Sequence, residues 1–217
     1  MAGPTVVKKI VSTKFETDDF PPGLQWFSPP KSYQSKANNG SGLKLNMDPL
    51  TDFWQRTYYV PELRNDNGHF LYTVIKEDKV YVETEFEVLS TNKFDQAGLM
   101  VRLDGDHWVK TGLEYSDGAW RLSCVVTNYN SDWSTTKWDS SKLTLRLFRL
   151  GDSIVVERKD PSSDNWEFIR IAHLNNPQKA DVKIGLFACE PVTAPGSSVV
   201  FNYLNINETD GFHHTNA

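Results

Sequence analysis

Between Val80 and Thr127 apolar and polar residues alternate nearly one for one, and the alternation breaks where turn-forming residues cluster. A period of two places successive side chains on opposite faces of an extended chain, so each run reads as a half-buried strand. Val80, Val82, Phe86 and Val88 alternate with Tyr81, Glu83, Glu85 and Glu87. Ala97, Leu99, Val101 and Leu103 alternate with Gln96, Gly98, Met100 and Arg102. Val109, Leu113 and Tyr115 alternate with Trp108, Lys110, Gly112 and Glu114; Trp120, Leu122, Cys124 and Val126 alternate with Arg121, Ser123, Val125 and Thr127. A slip of one residue would turn an apolar face toward a polar one, which fixes the register. The Asp104-Gly105-Asp106 loop predicts Val101 opposite Val109, Gly98 opposite Gly112 and Gln96 opposite Glu114. An Asp117-Gly118 hairpin turn predicts Ser116 opposite Ala119, Leu113 opposite Leu122 and Glu114 opposite Arg121. A longer connection through Ser90 to Phe94 sets Phe86 against Leu99 and Glu83 against Arg102. The expectation is a four-stranded antiparallel meander with one apolar and one polar face.

Further strand-like runs, Phe70 to Ile75, Leu143 to Leu150, Ser153 to Arg158, Trp166 to Ile171, Val182 to Cys189 and Ser198 to Ile206, are expected to supply a second sheet. No stretch sustains helical periodicity, so the chain reads as an all-β sandwich. Its 217 residues, 39% of them hydrophobic, suffice for a core without disulfides or a structural metal. The organisation expected is an N-terminal extension or edge strand over 1–14, one sandwich domain over 15–207 and a flexible tail over 208–217. A net charge of −5 argues against general affinity for nucleic acid or an anionic membrane. Mean hydropathy is −0.49, and no apolar run approaches the ~18 residues of a membrane-spanning helix. Cys124 and Cys189 lie in strand-like runs behind an N-terminus without an apolar signal region, which predicts buried thiols in a reducing, cytoplasmic setting.

The run Thr51-Asp52-Phe53-Trp54-Gln55-Arg56-Thr57-Tyr58, then Asp66-Asn67-Gly68-His69-Phe70, Asp95 to Arg102, His107 to Tyr115 and Ser131-Asp132-Trp133 follow one another in an order that resembles a known family. It is a family of uncharacterised proteins with a concanavalin A-like fold that includes the fungal regulation-of-enolase protein. The resemblance runs from about Leu24 to Ile206. It implies a jelly-roll β-sandwich of two antiparallel sheets and a link with enolase and carbon metabolism in the cytoplasm. The shared architecture with lectins and glycosidases is an analogy of fold.

The polar face of the meander carries the candidate site. In the deduced register Trp108, Lys110, Glu114, Gln96 and Arg121 share one side, expected to be the concave, ligand-carrying sheet surface. Trp108 offers a flat face to a sugar ring, and the opposed Gly98 and Gly112 leave a shallow depression beside it. Trp54, Arg56 and His69 from the preceding segment, and Asp132 with Trp133 from the loop after the fourth strand, are placed at the rim. Lys110, Arg56 and Arg121 favour an anionic group. The leading expectation is a small polar ligand, a sugar or sugar phosphate, bound by Trp54, Arg56, Gln96, Trp108, Lys110, Arg121 and Trp133. The alternatives are a metal-independent glycoside-active enzyme using Glu114, Asp132 and His69, and a module that docks a glycolytic enzyme such as enolase through the aromatic Tyr129 to Trp138 loop. Neither a nucleophile elbow, a phosphate-binding loop nor a His-Glu-x-x-His motif occurs, and no cofactor or metal is expected.

Overall fold

A computed structural model describes residues 4–193 and 196–214. Its strands, numbered in chain order, form two large antiparallel sheets and a short hairpin. The first sheet runs β12 (Asn130–Lys137), β11 (Ala119–Asn128), β10 (His107–Ser116), β9 (Gln96–Arg102), β16 (Val182–Cys189), β7 (His69–Ile75) and β2 (Gln25–Phe27). The second runs β15 (Trp166–His173), β14 (Ser153–Lys159), β13 (Lys142–Leu150), β8 (Lys79–Val88), β17 (Ser198–Phe201), β4 (Ser41–Asn46) and β3 (Ser32–Asn38). In that sheet β18 (Leu204–Thr209) also pairs β8, and β1 (Val6–Thr13) pairs β18. The hairpin is β5 (Phe53–Arg56) with β6 (Leu63–Asp66). This is the jelly-roll sandwich expected.

The alternation explains the core. Leu99, Val101, Val109, Leu113 and Leu122 of the first sheet meet Val80, Val82, Phe86, Leu145, Leu147 and Phe201 of the second, all but fully buried. Each such side chain contributes roughly 1.5–3 kcal/mol by leaving water. The hairpin registers follow the turn chemistry: Gly98 faces Gly112, Gln96 faces Glu114, and Glu114 faces Arg121.

The chain departs from expectation in which sheet each strand joins. β8 does not extend the meander; it lies in the second sheet, with Phe86 opposite Leu143 and Val82 opposite Leu147. The reason lies in the connection after it. The Leu89 N–H still donates to Ser198 O in the second sheet, while the Phe94 N–H donates to Tyr115 O in the first, so residues 90–93 cross between sheets. Glu83 and Arg102 therefore never meet: Glu83 accepts from the Tyr203 hydroxyl, and Arg102 grips both oxygens of Asp66 at 2.6 and 2.8 Å. Conversely, β7 and β16 join the first sheet. Its fourth meander strand is β12, where a loop was expected. The run from Ser198 to Ile206 splits at Asn202 and Tyr203 into β17 and β18, both against β8.

Candidate functional site

Residues two apart on a strand share a face, so register alone gathers Gln96, Met100, Arg102, Trp108, Lys110 and Glu114 on the side of the first sheet turned away from the core. That face is roofed by residues 48–68. Phe53, at the centre of this cover, packs with Phe70, Met100, Trp108, Val125, Phe187 and Cys189 into a second apolar cluster. The cover is fastened polar group by polar group. Lys110 Nζ donates to Phe53 O at 2.7 Å, Ser131 Oγ accepts from the Gln55 N–H at 2.9 Å, and Asp66 takes the Arg102 fork. Gly68 is required where the chain returns, because a Cβ there would lie 2.4 Å from the Phe53 ring and 2.5 Å from Cys189 Sγ.

This roof overturns the role expected for Trp108. The indole is fully buried, its ring centroid lies 6.2 Å from that of Phe53, and its Nε1–H donates to Gly105 O, so it offers a ligand no surface. The paired glycines are corrected with it. A Cβ on Gly98 would stand 2.1 Å from Thr111 O, and one on Gly112 2.0 Å from Ala97 O, so the missing side chains make room for neighbouring backbone.

Three other expected residues lie outside the pocket, and a fourth, Asp132, reaches only the cleft beside it. Arg56 is held by Asp106 at 2.6 Å and by Tyr129 O, with its guanidinium over the Tyr129 ring. Arg121 faces Glu114 in register but pairs with Asp117 at 3.6 Å. His69 is buried as a strut: Nε2 accepts from the Asp48 N–H at 3.0 Å, which leaves Nδ1–H to donate to Ser28 O at 2.8 Å. Burial lowers its pKa, and with both ring nitrogens engaged it carries no proton for catalysis. Asp132 sits opposite Val126, one pleat out of phase with Trp133, and its carboxylate, 72% exposed, turns to Arg170 at 3.3 Å. Glu114, Asp132 and His69 thus form no acid–base set. The aromatic loop is likewise dispersed: Tyr129 lies under Arg56, Trp133 enters the pocket, and Trp138 donates to Lys142 O beneath Arg158.

What the fold does bring together is a small pocket of about 40 Å³ lined by Gln96, Lys110 and Glu114 with Trp54, Trp133, Asp52, Tyr59, Leu63, Phe94 and Val125. Trp54, Tyr59, Phe94 and Trp133 also wall an adjoining cleft of about 710 Å³, which continues past Tyr58, Lys93, Ser116, Asp117 and Asp132. The rings meet edge to face: Trp54 stands 6.0 Å from Tyr59 and 6.5 Å from Trp133. Tyr58 and Phe94, on two sides of the cleft, adopt φ of 78° and 69°, positions that bulky side chains occupy at a cost of order 1–3 kcal/mol.

Asp52 organises the base. Its Oδ1 accepts from Lys110 Nζ at 3.1 Å, Gln96 Nε2 at 3.1 Å and the Phe53 N–H at 2.8 Å. A second chain of bonds runs from Trp133 Nε1–H to Ser123 Oγ at 2.8 Å, and from the Ser123 hydroxyl to Glu114 Oε2 at 3.0 Å. Burial pushes the Glu114 carboxyl up to about 7; Lys110 and the Ser123 bond oppose the shift, and Asp52 adds to it. For Lys110 burial works against the charge, yet Asp52 and Glu114 outweigh it and hold the ammonium above its ordinary value.

Sequence reasoning passed over Asp52, Tyr59, Leu63 and Phe94, all in irregular or short segments where alternation has no reach. One signal pointed to Asp52: a buried lysine requires an opposite charge, and the meander offers its ammonium only Glu114 nearby.

A family model described as a protein of unknown function, DUF1349, matches residues 26–209. Regulation of enolase protein 1 of Saccharomyces cerevisiae is 37% identical over 171 residues, 76% of this chain and 80% of that protein. An uncharacterised protein of Emericella nidulans is 29% identical over 177 residues, 75% of this chain and 84% of its own length. The crystal structure of a functionally unknown S. cerevisiae protein superposes with a TM-score of 0.77 at 30% identity, covering 87% of this chain and 98% of that one. A GH43 protein from a Bacteroides ovatus xyloglucan locus gives 0.74 at 15% identity, over 96% of this chain and 40% of that one, a likeness of fold.

Proposed function

The chain belongs to the DUF1349 family of proteins of unknown function, and from that premise we propose that it binds a small hydroxylated ring ligand, a sugar in its simplest form, in the aromatic-walled pocket beneath the cover. The observation that carries this reading is the narrowing of a cleft lined by Trp54, Tyr59, Phe94 and Trp133 onto a polar base of buried Gln96, Lys110 and Glu114 with the partly buried Asp52. Flat aromatic faces take up the apolar faces of a sugar ring, and a few fixed polar groups orient it. The inner pocket admits one substituent of such a ring, since a single water already needs about 10–15 Å³. The ring itself belongs in the wider cleft.

A phosphate fits the inner pocket less well than an uncharged substituent does; of the cations near the site, Lys93 lines only the outer cleft. Lys110 is neutralised by Asp52, Arg56 by Asp106 and Arg121 by Asp117, so none of the three cations is left to meet an anion. The name of the yeast relative supports, as a further part of the proposal, a role in regulating enolase, and hence carbon metabolism in the cytoplasm. Two free, buried thiols at Cys124 and Cys189 agree with a reducing compartment.

The test is a thermal-shift and calorimetric screen over neutral pentoses, hexoses and their disaccharides. A ligand at 100 times its Kd raises stability by about 2.7 kcal/mol. Trp133→Ala and Trp54→Ala should each weaken binding ten-fold or more, because each removes a wall. Ligands that bind both variants as tightly as the parent protein would place the site elsewhere.

A further inference from the structure

The charges of the inner pocket are unbalanced. On the donor side, the Lys110 ammonium spends two of its three N–H groups on Asp52 Oδ1 and Phe53 O, and the Gln96 amide spends one of its two on Asp52 Oδ1. On the acceptor side, Asp52 Oδ1 receives all three of its bonds, and Oδ2 receives none among the described residues. Glu114 Oε2 accepts from Ser123, while Oε1 has no partner among the described residues although the residue is only 6% exposed. Two carboxyl groups thus face the pocket against one ammonium, and each keeps one oxygen unused. Four aromatic rings enclose the approach, and ring faces attract cations.

We propose that the inner pocket takes a protonated amino group, so that the ligand is an aminated sugar whose ammonium sits between Glu114 Oε1 and Asp52 Oδ2 with its ring against Trp54, Tyr59, Phe94 and Trp133. An ammonium presents three donors and a unit charge within the volume of a hydroxymethyl group. It fills both unused acceptors and turns the surplus carboxyl into half of an ion pair. A phosphate or carboxylate in the same place would face two acid groups, and the one ammonium lining the inner pocket, Lys110, is already paired with Asp52.

This inference rests on the ring-binding reading above, and the experiment separates the two. Calorimetric titration of the full chain compares glucose, glucosamine, 6-amino-6-deoxyglucose and glucose 6-phosphate, with tetramethylammonium as a cation that has no sugar ring. At least one amino sugar should bind ten-fold or more tightly than glucose, glucose 6-phosphate should bind more weakly than glucose, and Glu114→Gln should erase the gain of the amino sugar. That variant keeps the shape of the side chain, and a cooperative melt verifies that it folds; Asp52→Asn provides an independent second removal of charge. If glucose binds and neither amino sugar improves on it, the ammonium inference falls and the ring-binding reading stands. Tetramethylammonium binding more tightly than every sugar would overturn the aminated-sugar assignment in favour of a ring-free cation. Absence of binding by all five probes would overturn both readings.

Discussion

Glu114 is a carboxyl held where its charged form is disfavoured. Burial raises its pKa from 4.5 to about 7, with Asp52 adding to the shift and Lys110 and the Ser123 hydroxyl opposing it. A folded-state pKa above the unfolded one means that stability is present in full below about 4.5 and is lost as pH climbs through 7. The loss is bounded at about 3 kcal/mol. Glu114→Gln removes this dependence, so its melting temperature should stay flatter than that of the parent between pH 5 and pH 8, and the variant should gain on the parent at the upper end. Parallel melting curves for the two proteins across that range would show that Glu114 is not the group responsible. Lys110 makes the converse case. Lys110→Met leaves the partly buried Asp52 without its ammonium, which costs at most the ~3–5 kcal/mol of a broken, fully buried pair. Adding Asp52→Asn should return a good part of that loss, and a double-mutant cycle by urea denaturation measures how much. A cycle showing simple additivity would mean that the 3.1 Å contact contributes nothing of its own.

The elements differ in how plainly they could be read. β9, β10 and β11 declared their register because one face is apolar, turn residues sit at the right spacing, and any slip would bury a charge. The sheet that each strand joins was far less legible: β8 shows the same alternation whether it pairs β9 or β13, since either arrangement turns Val80, Val82 and Phe86 to the core. The cover was illegible for a different reason. Alternation marked Trp108, Lys110 and Glu114 as sharing a face, which they do, but it carries no sign that an irregular segment 40 or more residues upstream would lie over them. Half the site was therefore visible as a polar face, and the half that makes it a pocket was not. The fastening of that cover can be tested as an element. Arg102 joins β9 to β6 through Asp66 and lies over the Phe27 ring. Arg102→Ala should loosen the hairpin and speed proteolytic cleavage near Tyr58 to Val60, where Tyr58 is already 88% exposed. The core strands should keep their protection from hydrogen exchange, and equal loss of protection in β10 and β6 would show that the cover and sheet open as one unit.

At the scale of the whole molecule, the two sheets divide the labour. The first presents the pocket on its outer side, and the second closes the core behind it, with β18 spanned by the N-terminal strand. β1 buries Val11 and supplies β18 with a backbone partner from Val6 to Thr13, at the far side of the sandwich from Lys110 and Glu114. Removing residues 1–13 should therefore lower stability without reshaping the pocket. The lost burial of Val11 is of order 2 kcal/mol, and at 2–4 °C per kcal/mol for a chain of this size the melting temperature should drop by about 5 °C. The exposed edge of β18 should also make the truncated protein more prone to self-association. Ligand affinity, measured by calorimetry well below the transition, should stay within about two-fold of the intact chain, because no residue of β1 lines the inner pocket or the cleft. A large loss of affinity in a truncated protein that still melts cooperatively would mean that the second sheet holds the first in its binding shape, and that the pocket is a property of the closed sandwich and not of one face and its cover.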